Sequence, residues 1–198
     1  MKMVVGYAYV FFFVFLASAM NAALSEETPS AGSNSTEFIR KCCATTLYPG
    51  LCYTSLSGYA NEVQQSTVEL AHVAANLTLA RLRSTAFHVA ALGRSATGPE
   101  RGALRDCSEQ LDDAAEWARH TVAELKGLHG AVGPEVELRV SNALTWMSAA
   151  LTSEDTCTDG FLMVAASSAK ADVCHRVRKV EKYTSNALAL IHSLRFNR

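Results

Sequence analysis

The carboxylates and the six histidines are the side chains of this sequence that could carry catalytic or metal chemistry. The sequence contains no His-Glu-x-x-His, Gly-x-Ser-x-Gly, P-loop or Gly-x-Gly-x-x-Gly motif. Glu116 and His120 are four residues apart and could share a metal on one helix face, but an exposed pair of this kind is usually solvated. Glu154, Asp155 and Asp159 lie close together, yet their spacing does not match a calcium loop. We therefore predict no catalytic residue, no metal site and no cofactor.

Six cysteines form the second reactive set: Cys42, Cys43, Cys52, Cys107, Cys157 and Cys174. No Cys-x-x-Cys or Cys/His zinc spacing occurs, which argues against a metal site. Pro49-Gly50 is a turn signal between Cys43 and Cys52. A helical hairpin that turns there would bring Cys43 within disulfide distance of Cys52, with Cys42 as the alternative partner.

A second disulfide follows from two helical patterns. Apolar positions from Leu104 to Leu128, and again from Val136 to Cys157, alternate in steps of three and four, with a Gly-rich break between them. If the two helices are antiparallel, Cys107 and Cys157 lie within ~3 Å in height at ~1.5 Å rise per residue. We predict a disulfide between them. Cys42 and Cys174 are then left free, bonded to each other, or bonded to a partner.

Two further helical stretches complete the predicted fold. One covers residues 61–94, and the other carries an apolar stripe from Val173 to Leu194. For the first, we predict a core stripe at Val73, Leu77, Ala80, Ser84, Phe87 and Ala91. Short connections make consecutive helices antiparallel neighbours. We predict an all-α protein, an up-down-up-down four-helix bundle preceded by an N-terminal helical hairpin over residues 37–59, with two disulfides.

The composition agrees with this fold class. Hydrophobic residues make up 49% of the 198 residues, which excludes general disorder. The low content of glycine and proline, 11 and 4 residues, argues against an all-β protein. The formal net charge of −1 excludes a strongly basic nucleic-acid-binding protein.

The N-terminal segment has the layout of a secretory signal peptide, with Lys2, an apolar run from Val10 to Ala17, and the small-x-small site Ala17-Ser18-Ala19. We predict a signal peptide over residues 1–23, cleaved near 19–23; the alternative is a retained membrane anchor. A flexible polar segment is predicted at 24–36 and the folded domain at 37–195. Asn34 and Asn76 lie in glycosylation sequons. We expect an extracellular monomer that does not contact the membrane after cleavage.

Four short segments carry a family pattern in order along the chain. They are Phe38-Ile39-Arg40 with Cys43 to Leu56, Ala103 to Ala114, Ala150 to Phe161, and Ser185 to Ile191. Together they resemble the plant invertase/pectin methylesterase inhibitor family over roughly residues 36–194. The resemblance implies four ordered cysteines paired first to second and third to fourth, which agrees with the two disulfides above. It also implies a non-catalytic inhibitor that binds a cell-wall enzyme and blocks its substrate cleft. Since the chain ends soon after the last predicted helix, we expect a stand-alone member.

The resemblance leaves two target enzymes. Invertase inhibitors of the family carry a Pro-Lys-Phe element, and none of the four prolines here is followed by lysine. We therefore predict an inhibitor of pectin methylesterase that binds about 1:1, with acid invertase as the alternative. A signalling or ligand-carrying bundle and an undetected hydrolase are rival classes. The short connections argue against a cytokine-like bundle, and a hydrolase would show turnover.

The resemblance also implies that the bundle lies across the enzyme largely through its second, third and fourth long helices, and we place the contact on the second and third. We predict that exposed polar residues bind the partner: Asp112, Glu116, Arg119, Glu154, Asp155, Thr156 and Asp159. Because carboxylates forced into a contact titrate at higher pH, we expect affinity to vary between about pH 4 and 6.

Overall fold

The computed structural model describes residues 31–196, which form seven α-helices and one short 3-10 helix. The predicted signal peptide lies outside the described residues. The helices are α1 (Ala31–Cys43), α2 (Pro49–Leu56), α3 (Ala60–Val63), α4 (Thr67–Ser95), α5 (Gly98–Lys126), α6 (Pro134–Asp159) and α7 (Ser168–Ser193), with the 3-10 helix at Ser57–Tyr59. The helix α1 begins at Ala31, within the polar segment predicted over residues 24–36.

Local signals in the sequence set the ends of the long helices. The Ser66 hydroxyl accepts a hydrogen bond of 3.2 Å from the backbone N–H of Glu69 at the start of α4. Ser167 caps α7 in the same way, through the N–H of Lys170 at 3.0 Å. Gly133, with a φ of 56°, precedes Pro134 at the start of α6. A side chain at Gly133 would be strained by that positive φ.

The four long helices form an up-down-up-down bundle, as predicted. α4 packs against α5 and α7, and α6 packs against the same two helices. α5 and α7 therefore lie diagonally opposite each other in the bundle. The connections are short, at residues 96–97, 127–133 and 160–167, which makes consecutive helices antiparallel. No helix within residues 31–196 is both long and apolar enough to cross a bilayer.

The predicted core stripes are confirmed for α5, α6 and α7 but wrong for α4. Phe87 in the predicted α4 stripe is 74% exposed, and its neighbours Ala80 and Ser84 are also exposed. The α4 core stripe is Ala71, Ala75, Thr78, Leu82, Thr85 and Val89. Its two threonines can be buried because each hydroxyl donates 2.9 Å to a carbonyl one turn earlier in the helix.

Both predicted disulfides are present. Cys43–Cys52 joins α1 to α2, and Cys107–Cys157 joins α5 to α6. The other two cysteines, Cys42 and Cys174, are unpaired and half-buried. Burial raises the pKa of the Cys42 thiol.

The N-terminal hairpin is fastened to the bundle through its turn. The side chain of Asn186 on α7 accepts from the backbone N–H of Tyr48 and donates to its carbonyl oxygen, both at 3.1 Å. Asn186 is itself buried. Ile39, Leu56 and Val63 from the hairpin and α3 are buried in the core. The turn of the hairpin therefore has a fixed position beside α7.

Candidate partner-binding surface

The predicted binding residues on α5 share one exposed face. Asp112, Glu116 and Arg119 follow each other in steps of four and three, and all three are exposed. Arg119 donates two hydrogen bonds to the Glu116 carboxylate, at 2.8 and 2.5 Å. The Arg119 hydrogen bonds lower the pKa of Glu116 to about 2, with smaller effects from its charge and those of His120 and Arg83. Glu116 is therefore an oriented anion at any physiological pH.

An aromatic cluster beside Glu116 was missed by the sequence analysis. The rings of Trp117 on α5 and Trp146 on α6 stack at 5.4 Å with an interplanar angle of 4°. His120 lies 5.4 Å from Trp146 and 3.2 Å from the Glu116 carboxylate. Sequence spacing could have revealed this pair. Like the two bonded cysteines, Trp117 and Trp146 are nearly equidistant in sequence from the α5–α6 turn, so antiparallel helices place them at the same level. This aromatic packing fixes the face that carries Glu116.

The predicted binding residues near the end of α6 are also exposed, except one. Asp155, Thr156 and Asp159 are exposed in the last turns of the helix. The pKa of Glu181 on α7 is raised mainly by the burial of Glu181 and, to a smaller extent, by the negative charge of Asp155. Asp155 therefore lies on the side of α6 that faces α7. The C-terminal end of a helix carries partial negative charge, so the carboxylates there add to a negative potential.

Glu154 is the exception, and the expectation that it is exposed was wrong. Its side chain is fully buried, and its Oε1 atom accepts a hydrogen bond of 2.5 Å from the hydroxyl of Thr184 on α7. Burial raises the pKa of Glu154 to about 8, with smaller contributions from Glu181 and Asp155. Its Oε2 atom has no hydrogen-bond partner among residues 31–196. A residue in this position cannot contact a partner directly.

The spacing of the sequence contained a signal for this burial. Glu154 is four residues after Ala150 and three before Cys157, so it continues the apolar stripe of α6. Thr184 occupies the equivalent position in the stripe of α7. Glu154 was predicted to be exposed because it is charged, although its spacing indicated burial.

The two predicted sets lie on helices that a disulfide joins, but they are not bonded to each other. The Cys107–Cys157 disulfide joins the two helices, and its Cα atoms are 4.1 Å apart. No hydrogen bond or salt bridge within the described range connects the α5 set with the α6 set. Nor do any three His, Cys, Asp or Glu side chains of residues 31–196 group in a way that could hold a metal ion.

Comparison with known proteins gives this surface its context. The family model described as plant invertase/pectin methylesterase inhibitor matches residues 37–190. The chain belongs to this family. It is 38% identical to Pectinesterase inhibitor 11 of Arabidopsis thaliana over 188 residues, which cover 91% of this chain and 93% of that protein. It is 36% identical over 160 residues to the 21 kDa protein of Daucus carota, covering 79% and 83% of the two chains.

Solved structures support the fold of this family member. A mutant form of a pectin methylesterase inhibitor from Arabidopsis superposes with a TM-score of 0.60 over 78% of this chain and 95% of that chain, at 18% identity. At that identity the similarity concerns the fold alone. Pectinesterase inhibitor 11 is named as an inhibitor, and this family member is likewise a non-catalytic protein. The exposed faces of α5 and α6 are thus candidate surfaces for contact with another protein.

Proposed function

We propose that the protein is a secreted inhibitor that binds a pectin methylesterase about 1:1 and blocks its substrate cleft. The observation that carries the proposal is the exposed face of Asp112, Glu116 and Arg119, on a helix that a disulfide joins to α6. Its central carboxylate is ionised and held by two hydrogen bonds before any partner binds. Such preorganisation reduces the entropy lost on binding.

The dimensions of the bundle suit this role. α5 has 29 residues and at ~1.5 Å per residue is about 43 Å long. A helix of that length, with the adjoining face of α6, offers enough area for a protein interface of ~800 Å² per partner. Asp155, Thr156 and Asp159 would extend the contact at the disulfide end. Glu154 is left out of the proposed contact because it is buried.

Several features of the setting belong to the same proposal. Secretion rests on the predicted signal peptide, and the proposed location is the cell wall. Asn34 and Asn76 are exposed, which is compatible with the proposed glycans. A monomer in solution would leave both faces free. Acid invertase stays the alternative target because the family description names both enzymes.

A titration of two enzymes tests the proposal. The secreted, oxidised protein is added to a pectin methylesterase and, in parallel, to an acid invertase near pH 6. We expect esterase activity to fall to its minimum near one equivalent, with invertase unaffected. Loss of invertase activity alone would replace the target, and no loss with either enzyme would contradict inhibition. Size-exclusion chromatography of the mixture then measures the stoichiometry.

A further inference from the structure

A groove on the far side of the bundle from α5 has the features of a binding site. It lies between the turn of the N-terminal hairpin and α7, and its volume is about 670 Å³. Because α7 is diagonally opposite α5, this groove is remote from the Glu116 face. A molecule bound in it would not compete with a partner on that face.

One wall of the groove is basic. It is formed by four side chains of α7: His175, Arg178, Lys179 and Lys182. From His175 to Lys182 they extend about 10 Å along the helix axis, at ~1.5 Å per residue. Glu181, half-buried on the same helix, interacts with the charges of Arg178 and Lys182 without forming a salt bridge.

Three cations of this wall are not held in salt bridges by the described part of the chain. Within the described residues, neither Arg178 nor Lys179 nor Lys182 forms a salt bridge, whereas Arg176 on the same helix pairs with Asp172 at 2.9 Å. The chain as a whole has a formal net charge of −1, so this row of cations does not reflect an overall excess of positive charge. Such a charge distribution attracts a polyanion to one place on the surface.

The opposite wall is apolar and has a fixed position. Tyr48 and Pro49 form it, with Leu47, which is 71% exposed. The two hydrogen bonds from Asn186 hold the backbone of Tyr48, and Lys182 Nζ lies 5.5 Å from the centre of its ring. The groove thus combines an aromatic ring with a row of cations.

We propose that this groove binds a segment of a linear polyuronate, the acidic polysaccharide formed when methyl esters are removed from pectin. The regularly spaced carboxylates meet Arg178, Lys179 and Lys182, and the C–H face of a sugar ring packs on Tyr48. The choice of polyuronate rests on the proposed function, since a pectin methylesterase would generate this polymer beside the inhibitor. The site would hold the inhibitor at the polymer that its target enzyme modifies.

Direct binding measurements test the proposal. The secreted full chain is titrated by calorimetry with de-esterified oligogalacturonate, with its fully methyl-esterified form, and with polyglutamate of equal length, in buffer without divalent cations. We expect the de-esterified oligomer to bind at least about tenfold more tightly than the ester and than polyglutamate. Its affinity should fall with added salt. Equal affinity for the ester would overturn the proposal, and equal affinity for polyglutamate would overturn the assignment to a sugar polymer.

Matched variants locate the site. Arg178→Gln with Lys182→Gln should weaken binding at least about tenfold, because two of the three unpaired cations are removed. Arg94→Gln with Lys126→Gln removes the same charge from exposed positions outside the groove and should change affinity less than about twofold. Tyr48→Leu keeps the backbone contacts of the turn and should weaken binding through loss of the ring face. Equal losses in the two double variants would overturn the location.

The esterase titration separates this inference from the proposed function. Arg178→Gln with Lys182→Gln should still inhibit the esterase as the unmodified protein does. Inhibition by the unmodified protein, without polyuronate binding by that same protein, would overturn the groove proposal alone. Polyuronate binding without inhibition would contradict the proposed function and leave the groove proposal supported.

Discussion

Thr184 on α7 donates a hydrogen bond of 2.5 Å to Oε1 of Glu154 on α6, within the core of the bundle. The same hydroxyl lies 3.3 Å from the carbonyl oxygen of Val180. When Glu154 is protonated it can donate to the hydroxyl of Thr184, which then donates to Val180. Both protonation states are therefore hydrogen-bonded, but only the neutral state avoids a buried charge.

The protonation of Glu154 predicts that the protein becomes less stable as pH rises. Its folded pKa of about 8 is above the ordinary value of 4.5, so the folded state holds the proton more tightly. The resulting stability is fully present below the unfolded pKa and is lost as pH rises toward 8. At ~1.4 kcal/mol per pH unit, the free energy of unfolding should fall by up to about 4 kcal/mol between pH 5 and 8.

Urea unfolding at pH 5 and pH 8 measures this fall. Glu154→Gln removes the titrating group and should flatten the dependence. Asp159→Asn, at an exposed position on the same helix, serves as the control and should follow the unmodified protein. If Glu154→Gln keeps the original slope, another group is responsible.

The hydroxyl of Thr184 should contribute more to stability than an ordinary buried threonine hydroxyl. Thr184→Val removes the only hydrogen-bond partner of Glu154 found within residues 31–196, and we expect a loss of about 1–3 kcal/mol in unfolding free energy. Thr85→Val is the matched control, because its buried hydroxyl donates to the Arg81 carbonyl of its own helix at 2.9 Å. Chemical denaturation at pH 6 compares the two. A loss in Thr85→Val as large as in Thr184→Val would contradict this assignment.

Much of the bundle could be predicted from spacing, and the departures have physical reasons. The core stripes of α5 and α7 are apolar enough to be recognised in the sequence. The Cys107–Cys157 disulfide could be predicted because the two cysteines are nearly equally far in sequence from the α5–α6 turn. The α4 stripe was misplaced because Thr78 and Thr85 are polar by type but satisfied by their own helix. Glu154 was misplaced because charged residues are rarely buried, although its spacing continues the apolar stripe of α6. The hydrogen bond from Thr184 that accompanies this burial comes from a neighbouring helix, and the pattern of α6 alone does not show it.

The two disulfides should stabilise the protein by different amounts. Cys107–Cys157 closes a loop of 50 residues and Cys43–Cys52 one of 9. In the chain-entropy model, their removal by paired Cys→Ala changes should cost about 4 and about 3 kcal/mol respectively. Cys174→Ala removes an unpaired thiol and serves as the control. Thermal unfolding of the oxidised proteins measures the order; a larger loss at the hairpin would contradict the loop-length argument.

The exposed face of α5 should determine affinity for the target enzyme. Asp112→Ala with Glu116→Ala removes two carboxylates from the proposed contact, and we expect the dissociation constant to rise at least about tenfold. Glu62→Ala with Glu137→Ala makes the same charge change at exposed positions elsewhere and should alter it less than about twofold. Biolayer interferometry with immobilised esterase compares them. Equal weakening by both pairs would show that total charge, and not the α5 face, governs binding.

The pH dependence of that affinity should not come from Glu116. With a pKa of about 2, this carboxylate is ionised throughout the range from pH 4 to 7, so Glu116→Gln should weaken binding equally at both ends. We expect a change of affinity between pH 4 and 6 to come instead from Asp112, Asp155 and Asp159, the other carboxylates that the proposed contact would desolvate. The triple change of these three residues to Asn should flatten the profile of dissociation constant against pH. A flat profile in the unmodified protein would mean that none of the three is desolvated in the complex. A profile flattened by Glu116→Gln alone would contradict its permanent ionisation.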